Sequence, residues 1–227
     1  ATNAKRFYEN FYTTPWVRVP RVYSKILTKR VMVMECVEAT KITDINQQRV
    51  IASKALVTSF INQLMLHGFF HGDPHPGNVG VNEETGQIVY YDFGLMVDVD
   101  TGIRDKLTTL LPLIIQRDTK KIVDVLVDMN LIVPTTDKRD IVTFLDAAID
   151  FLQSMDGKEF NAQLAQDELS TTLAEERPFQ IPSEFLFLAK SFTTIDGICS
   201  QLDPDFNFID YLAPMAGDVQ VNINIQD

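Results

Sequence analysis

Two short motifs, at residues 71–78 and 92–94, contain the residue types that phosphoryl transfer requires. The first is H-G-D-P-H-P-G-N, with the H-x-D-x-x-x-x-N spacing of a kinase catalytic loop, and the second is D-F-G. Phosphoryl transfer needs a carboxylate near the attacking oxygen, and oxygen ligands that hold magnesium against the nucleotide phosphates. Asp73 is the candidate carboxylate. Asn78 and Asp92 are the candidate magnesium ligands, with water and phosphate oxygens completing the octahedron.

The residues between Asn78 and Asp92 predict a β-hairpin that brings these two side chains to the same end. Apolar stretches at 79–81 and 88–91 flank a polar turn at 82–86. A lone D-F-G or H-G-D-P is weak, because proline and glycine occur in ordinary loops. The two motifs joined by a hairpin are far more specific, and together they favour a phosphoryl-transfer site.

A helix before the first motif is predicted to position it. Asp44 is a candidate N-cap, and Gln47 follows three residues later, as in a capping box. Apolar residues then recur at helical spacing as far as Met65. Gly68 suits the left-handed position that ends many helices.

The rest of the chain predicts a fold of the α+β class that is mostly α. Helices are expected at about 101–116, 119–130, 137–154, 160–175 and 182–202, with Asp100 or Thr101 capping the first. Trp16–Tyr23 and Arg30–Val37 predict strands, whereas residues 1–15 have no clear period.

The two motifs, together with a C-terminal stretch, resemble the UbiB/ADCK family of atypical kinases. The resemblance rests on His71–Asn78, on Tyr91–Gly94, and on segments between Ser191 and Phe206. It extends from about Val19 to about Pro214. It implies a protein-kinase-like fold, the use of ATP and Mg²⁺, and a link to ubiquinone and other prenylquinone metabolism.

The same resemblance implies how the chain divides. Residues 1–37 would hold two residual strands of the N-terminal lobe and the hinge, and residues 38–227 would form the helical C-terminal lobe with its hairpin. Met34 would occupy the gatekeeper place, and the backbones of Glu35 and Val37 would face the adenine. The alternative is a buried strand whose end carries a charged residue.

Two further features bear on the reaction. His75 lies where protein kinases have the catalytic-loop lysine, and so could contact the terminal phosphate. A helix is predicted at Thr101, which leaves no room for a long activation segment, and Gly72 replaces the arginine that pairs with such a segment. We therefore expect ATP hydrolysis or small-molecule transfer rather than phosphorylation of generic proteins.

The sequence departs from the family in its first residues. The alanine-rich loop, the K-x-G-Q motif and the strand lysine do not occur, so we expect an incomplete chain that lacks the N-terminal lobe and is inactive alone. Two alternatives stay open. One is a small-molecule phosphotransferase of the aminoglycoside or choline kinase type, and the other is a non-catalytic, pseudokinase-like binding fragment.

Composition limits the partners. The net charge of −11 argues against nucleic acid, which clustered basic residues bind. The first thirty residues are basic, which fits either a solvated face or a patch for a peripheral membrane contact or a partner. No apolar run is long enough to span a bilayer. Prenylquinone-pathway proteins or lipid are the partners that the resemblance implies, with a mitochondrial or plastid location in a eukaryote and the cytoplasmic face of the membrane in a bacterium.

Overall fold

The computed structural model describes residues 1–132, 139, 141–143, 145–146 and 183–214. The α-helices are α1 (Thr2–Phe11), α2 (Arg49–Ile61), α3 (Thr101–Ile115), α4 (Thr119–Asp128), α5 (Ser183–Leu202) and α6 (Phe208–Leu212). The strands are β1 (Val17–Arg18), β2 (Thr40–Lys41), β3 (Phe69–His71), β4 (Val79–Asn82), β5 (Gln87–Tyr90) and β6 (Met96–Asp98). Short 3₁₀ turns cover Ser24–Ile26 and Ile42–Asp44, and a π-helical turn at Asn62–Leu66 extends α2. The described part of the chain is thus mostly helical α+β, as predicted.

The predicted hairpin is confirmed. β4 and β5 pair antiparallel, with Val79 opposite Tyr90, and form the centre of a four-stranded sheet in the order β1-β5-β4-β2. Asn82 closes the turn, because its Oδ1 accepts from the backbone N–H groups of Glu84 and Thr85, each at 3.0 Å. Gly86 completes the turn at a φ of 72°, a left-handed conformation that suits glycine.

A second, two-stranded sheet holds the two motifs together. β3 ends at His71, the first residue of the H-G-D loop, and β6 begins two residues after D-F-G. The two strands pair antiparallel, with His71 opposite Met96. The Gly72 N–H continues the pairing by donating to the carbonyl of Leu95 at 2.9 Å. The first motif therefore follows one strand of this ladder, and the second leads into the other.

The capping box predicted at Asp44 and Gln47 is wrong. α2 begins at Arg49, after Gln48 in a left-handed conformation. The carboxylate of Glu83, in the hairpin turn, accepts from the N–H groups of Asn46 at 3.1 Å and Gln47 at 3.2 Å. These N–H groups are held by a distant turn, so the chain remains non-helical there.

The predicted helices of the second half agree with the structure where it describes them. α3, α4 and α5 match the helices predicted at about 101–116, 119–130 and 182–202, and Asp100 caps α3 by accepting from the N–H of Ile103 at 2.9 Å. Within the helix predicted at 137–154, the described residues 139, 141–143 and 145–146 are helical. The helix predicted at 160–175 lies outside the described residues.

The N-terminal segment differs most from expectation. Residues 1–15 had no clear predicted structure, yet they contain α1, whose Ala4, Phe7 and Phe11 are buried in the main core. The strand predicted over 30–37 is reduced to a single bridge between Val22 and Met34. Strands need a hydrogen-bonded neighbour, and this segment has only that bridge, so it stays irregular.

One main core joins these elements. Buried apolar side chains come from α1, α2, β1, β3, β4, β5, α5 and α6, and include Phe60, Phe70, Ile88 and Ile195. α5 packs on α2, which precedes it by more than a hundred residues. The loop that follows β3 also contacts α5, through the bond between Asp73 and Lys190.

Candidate active site

Gly68 and Gln63 set the entry to the catalytic loop. Gly68 has a φ of 57°, and its carbonyl accepts from the N–H of Val99 at 2.9 Å, so the predicted left-handed end of the helix is confirmed. Gln63, in the π-helical turn, is 1% exposed, and its Oε1 accepts from the backbone N–H of His71 at 2.8 Å. Sequence analysis did not identify Gln63, because a glutamine among apolar helix residues has no local pattern that indicates a partner eight residues later.

His71 joins the two motifs. Its Nδ1 accepts from the backbone N–H of Asp73 at 3.1 Å, so the ring proton lies on Nε2, which donates to the carbonyl of Asp92 at 2.5 Å. Burial lowers the pKa of His71 below its usual value, which favours the neutral ring that this pattern needs. His71 thus braces the loop and links it to D-F-G.

Asp73 forms an ion pair that sequence analysis missed. The Nζ atom of Lys190, on α5, lies 2.8 Å from Asp73 Oδ1. The hydrogen bond and charge of Lys190 lower the pKa of Asp73, so the carboxylate is ionised at neutral pH. The available indication was modest: Lys190 directly precedes the family-like stretch that begins at Ser191.

His75 faces the same carboxylate from the other side. Its Nε2 lies 3.9 Å from Asp73 Oδ2, and its Nδ1 accepts from the N–H of Gly77 at 3.0 Å. A Cβ at Gly77 would stand 2.8 Å from the His75 ring, so a larger residue there would displace this ring. The structure therefore brings the two predicted catalytic residues together, although His75 makes no direct hydrogen bond to Asp73.

Asn78 and Asp92, the predicted metal ligands, are connected through the loop. Asn78 is 9% exposed, and its Nδ2 donates to the carbonyl of Asp73 at 3.0 Å. The other amide atom, Oδ1, takes no part in this hydrogen bond. The carbonyl of Asn78 accepts from the N–H of Tyr91 at 3.1 Å. Asp92 is exposed, and its Oδ1 accepts from the N–H of Gly94 at 2.8 Å.

This donor set fits magnesium as a nucleotide partner. Among the described residues, no group of three or more His, Cys, Asp or Glu side chains could hold a metal. Magnesium needs few protein ligands when phosphate and water oxygens supply the rest, and an amide oxygen with a carboxylate are hard donors of the kind it prefers. The metal role of Asn78 and Asp92 stays a prediction.

The hinge candidates lie beside this site. The N–H of Glu35 donates to the carbonyl of Arg21 at 2.8 Å, and the Glu35 carboxylate pairs with the Arg18 guanidinium. The carbonyl of Val37 accepts from Tyr91 Oη at 3.3 Å, which ties this segment to the residue before D-F-G. Adenine contacts from Met34, Glu35 and Val37 remain a prediction.

α1 supports D-F-G from behind. The Phe7 ring lies 5.3 Å from the Phe93 ring and 5.2 Å from the Tyr90 ring, centroid to centroid. Asn3 Nδ2 donates to the carbonyl of Phe93 at 3.0 Å. The phenylalanine of D-F-G is 6% exposed and is therefore held in the main core.

α5 is tied to the rest of the protein at two points. Near its middle, the Oγ of Ser191, which is fully buried, donates to the carbonyl of His71 at 3.0 Å. At its C-terminal end, the Arg49 guanidinium donates to the carbonyl of Leu202 at 3.0 Å and to that of Gln201. The bond from Ser191 sets the position of Lys190, the residue before it.

Comparison with known proteins decides the family. A model of the ABC1 atypical kinase-like domain matches residues 1–126. The chain belongs to the ABC1, or UbiB/ADCK, family. The match agrees with the resemblance inferred from His71–Asn78 and Tyr91–Gly94, and it favours the ABC1 family over the aminoglycoside and choline kinase alternative.

Relatives extend the match along the chain. The chloroplastic protein ACTIVITY OF BC1 COMPLEX KINASE 7 of Arabidopsis thaliana is 36% identical over 228 residues, covering 95% of this chain and 32% of that protein. An uncharacterized Synechocystis protein is 32% identical, covering 98% of this chain and 39% of its own length. The chain therefore spans about a third of the length of these curated ABC1 relatives.

A solved structure supports the kinase-like fold. The complex of Rv3197 with erythromycin, from Mycobacterium tuberculosis, superimposes with a TM-score of 0.63 at 17% identity, over 93% of this chain and 55% of that one. At this identity the likeness concerns the fold alone. Across the described residues, no helix has both the length and the apolar character needed to cross a bilayer.

Proposed function

We propose that this ABC1 chain forms the magnesium and acceptor side of an ATP-dependent kinase or ATPase site. The observation that supports it best is the His71 bridge, because one buried ring bonds both the Asp73 N–H and the Asp92 carbonyl. It fixes the backbone of Asp73, the proposed base, relative to the backbone of Asp92, a proposed metal ligand. Positioning of this kind accounts for much of phosphoryl-transfer catalysis.

The proposed step uses few groups. An acceptor hydroxyl, or a water, gives its proton to the Asp73 carboxylate while its oxygen bonds to the γ-phosphorus of ATP. The bond from that phosphorus to the β,γ-bridging oxygen breaks, and the electron pair leaves with ADP. Magnesium, held by Asn78 and Asp92, would neutralise phosphate charge. Residues 38–227 would supply this lobe, and Met34, Glu35 and Val37 would contact adenine.

The acceptor is proposed to be water or a small molecule. Only residues 95–100 separate D-F-G from α3, and β6 occupies half of them, so a peptide has no activation segment to lie along. Prenylquinone precursors, lipids or prenylquinone-pathway proteins are the partners that family membership suggests.

Turnover by the full-length gene product tests the proposal. Asp73→Asn and Asp92→Ala should each lower the ATP hydrolysis rate by at least about 100-fold, because each removes a group used in the transition state. Asp105→Asn, an exposed change on α3, is the matched control and should leave the rate unchanged. Native rates in Asp73→Asn and Asp92→Ala would show that hydrolysis does not use these carboxylates, whereas no turnover in the native protein would favour the non-catalytic binding alternative.

Calorimetry on residues 1–227 tests whether these residues suffice to bind Mg-ATP. This segment has no strand lysine for the phosphates, so we expect a Mg-ATP dissociation constant near millimolar. That corresponds to a binding free energy of about 4 kcal/mol, against about 8 kcal/mol for a micromolar constant. Micromolar affinity that disappears in Asp92→Ala would show that the lobe described here suffices.

A further inference from the structure

Asp73 is paired with a cation that comes from the far end of the chain. Lys190 follows Asp73 by 117 residues, and its Nζ is 2.8 Å from Oδ1. In conventional kinase loops a lysine two residues after the aspartate stands beside that carboxylate, and here the position is His75. Its Nε2 is 3.9 Å from Asp73, beyond hydrogen-bonding distance. Among the described residues, Lys190 therefore supplies the hydrogen-bonded cation at this carboxylate.

The position of Lys190 is built into the fold. The next residue, Ser191, is fully buried, and its Oγ bonds to the carbonyl of His71, two residues before Asp73. This bond fixes the register of α5 against the catalytic loop. The Lys190 side chain is nonetheless 55% exposed, so its ammonium is accessible from solvent.

An ammonium has three N–H donors, and Asp73 uses one. An acceptor oxygen hydrogen-bonded to Asp73 Oδ1 would lie at most about 6 Å from Lys190 Nζ, given the 2.8 Å ion pair and a second contact of roughly 2.6–3.2 Å. The other two donors are then close enough to reach the oxygens of the phosphoryl group that the acceptor attacks. A fixed cation at this point stabilises charge that develops in the transition state.

We propose that Lys190 binds the transferring phosphoryl group from α5, in place of a lysine in the catalytic loop. The inference rests on the proposed function. As the acceptor oxygen bonds to the γ-phosphorus and the bridging oxygen leaves with ADP, Lys190 keeps its proton and donates hydrogen bonds to the non-bridging oxygens. Asp73 takes the acceptor proton, so Lys190 neither gains nor loses one.

Steady-state ATP hydrolysis by the full-length gene product tests this role. Lys190→Met should lower kcat by about 100-fold with little change in KM, because the lost contact is made mainly in the transition state. Lys190→Arg keeps the charge and should restore kcat to within about tenfold of native. Lys120→Met, an exposed change on α4, is the matched control and should change neither constant.

The outcomes separate this inference from the proposed function. A Lys190→Met kcat within about threefold of native, or an effect on KM alone, overturns the role of Lys190 while Asp73→Asn and Asp92→Ala still abolish turnover. Native rates in the two aspartate variants would instead overturn the proposed function itself.

A second measurement needs no variant at Lys190. In the native protein, Mg²⁺ with ADP and aluminium fluoride, an analogue of the phosphoryl group in transfer, should slow acetylation of Lys190 by an amine-reactive reagent, and should leave the rate at Lys120 unchanged. Mass spectrometry reports both sites in one sample. An unchanged Lys190 rate at saturating analogue overturns the proposal, even if Lys190→Met fails to fold.

Discussion

Replacing Gln63 by methionine should destabilise the protein, chiefly by removing the buried hydrogen bond that Gln63 accepts from the backbone of His71. The two side chains have similar lengths, so little space is lost or gained, but a thioether cannot replace the amide oxygen that accepts from the His71 N–H at 2.8 Å. Both Gln63 and His71 are 1% exposed, so the N–H is left without a partner inside the protein.

The size of the effect follows from that unpaired group. A buried donor that loses its acceptor costs about 1–3 kcal/mol. Tyr90 Oη also loses its 3.3 Å bond from Gln63 Nε2, but keeps a 2.5 Å contact with Ser59 Oγ. We therefore expect the free energy of unfolding to fall by about 2 kcal/mol, which is roughly 4–8 °C in Tm for a chain of this size.

Urea unfolding, followed by circular dichroism, measures this difference. Gln201→Met is the matched control, because Gln201 is exposed on α5 and its substitution should change the free energy by less than about 0.5 kcal/mol. If Gln63→Met costs no more than Gln201→Met, the His71 N–H does not depend on Gln63, and our account of how the loop is held is wrong.

Other predictions use the same unfolding measurement. Gly68→Ala should cost at least about 1–2 kcal/mol, because its φ is 57° and a Cβ would meet a carbonyl oxygen at 2.9 Å. At Gly197 an added Cβ would meet no atom of the described residues within 4 Å, so Gly197→Ala should instead stabilise α5 by about 0.5–1 kcal/mol. Equal changes in the free energy of unfolding for Gly68→Ala and Gly197→Ala would contradict this reasoning. Arg49→Met should lower the free energy of unfolding by about 1–2 kcal/mol, because it loses the bonds to the last carbonyls of α5. An unchanged free energy would show that these bonds do not stabilise the protein. Burial lowers the pKa of His67 and His71 from 6.5, so the unfolded chain binds protons first. The stability that these groups contribute is therefore present above pH 6.5 and is lost as the pH falls below it. His67→Gln should reduce this loss of stability. A rise in Tm on acidification would contradict the expected pH dependence.

Local patterns predicted the elements whose contacts are local. The hairpin between Asn78 and Asp92 follows from two apolar stretches and a polar turn, and the structure has it where expected. Asp100 caps α3 through a bond to a residue three positions later. Gly68 adopts the left-handed conformation predicted for the end of its helix. In each case the residues that decide the structure are neighbours in sequence.

Long-range contacts account for what the sequence analysis missed. Lys190 reaches Asp73 across 117 residues, and no pattern in one segment indicates a partner in the other. Glu83 prevents the predicted capping box by binding the N–H groups of Asn46 and Gln47. α1 was different, because buried Ala4, Phe7 and Phe11 have a helical spacing that was present in the sequence but lay among polar residues.

The packing of α1 on Phe93 limits how the D-F-G segment can rearrange. In protein kinases the packing of this phenylalanine distinguishes active from inactive arrangements. Here an outward movement would separate Phe93 from Phe7 and break the bond from Asn3, and each aromatic pair contributes about 0.5–1.5 kcal/mol beyond its burial. A ligand that required Phe93 to be displaced would lose this free energy from its affinity, so ligand design should leave Phe93 in place.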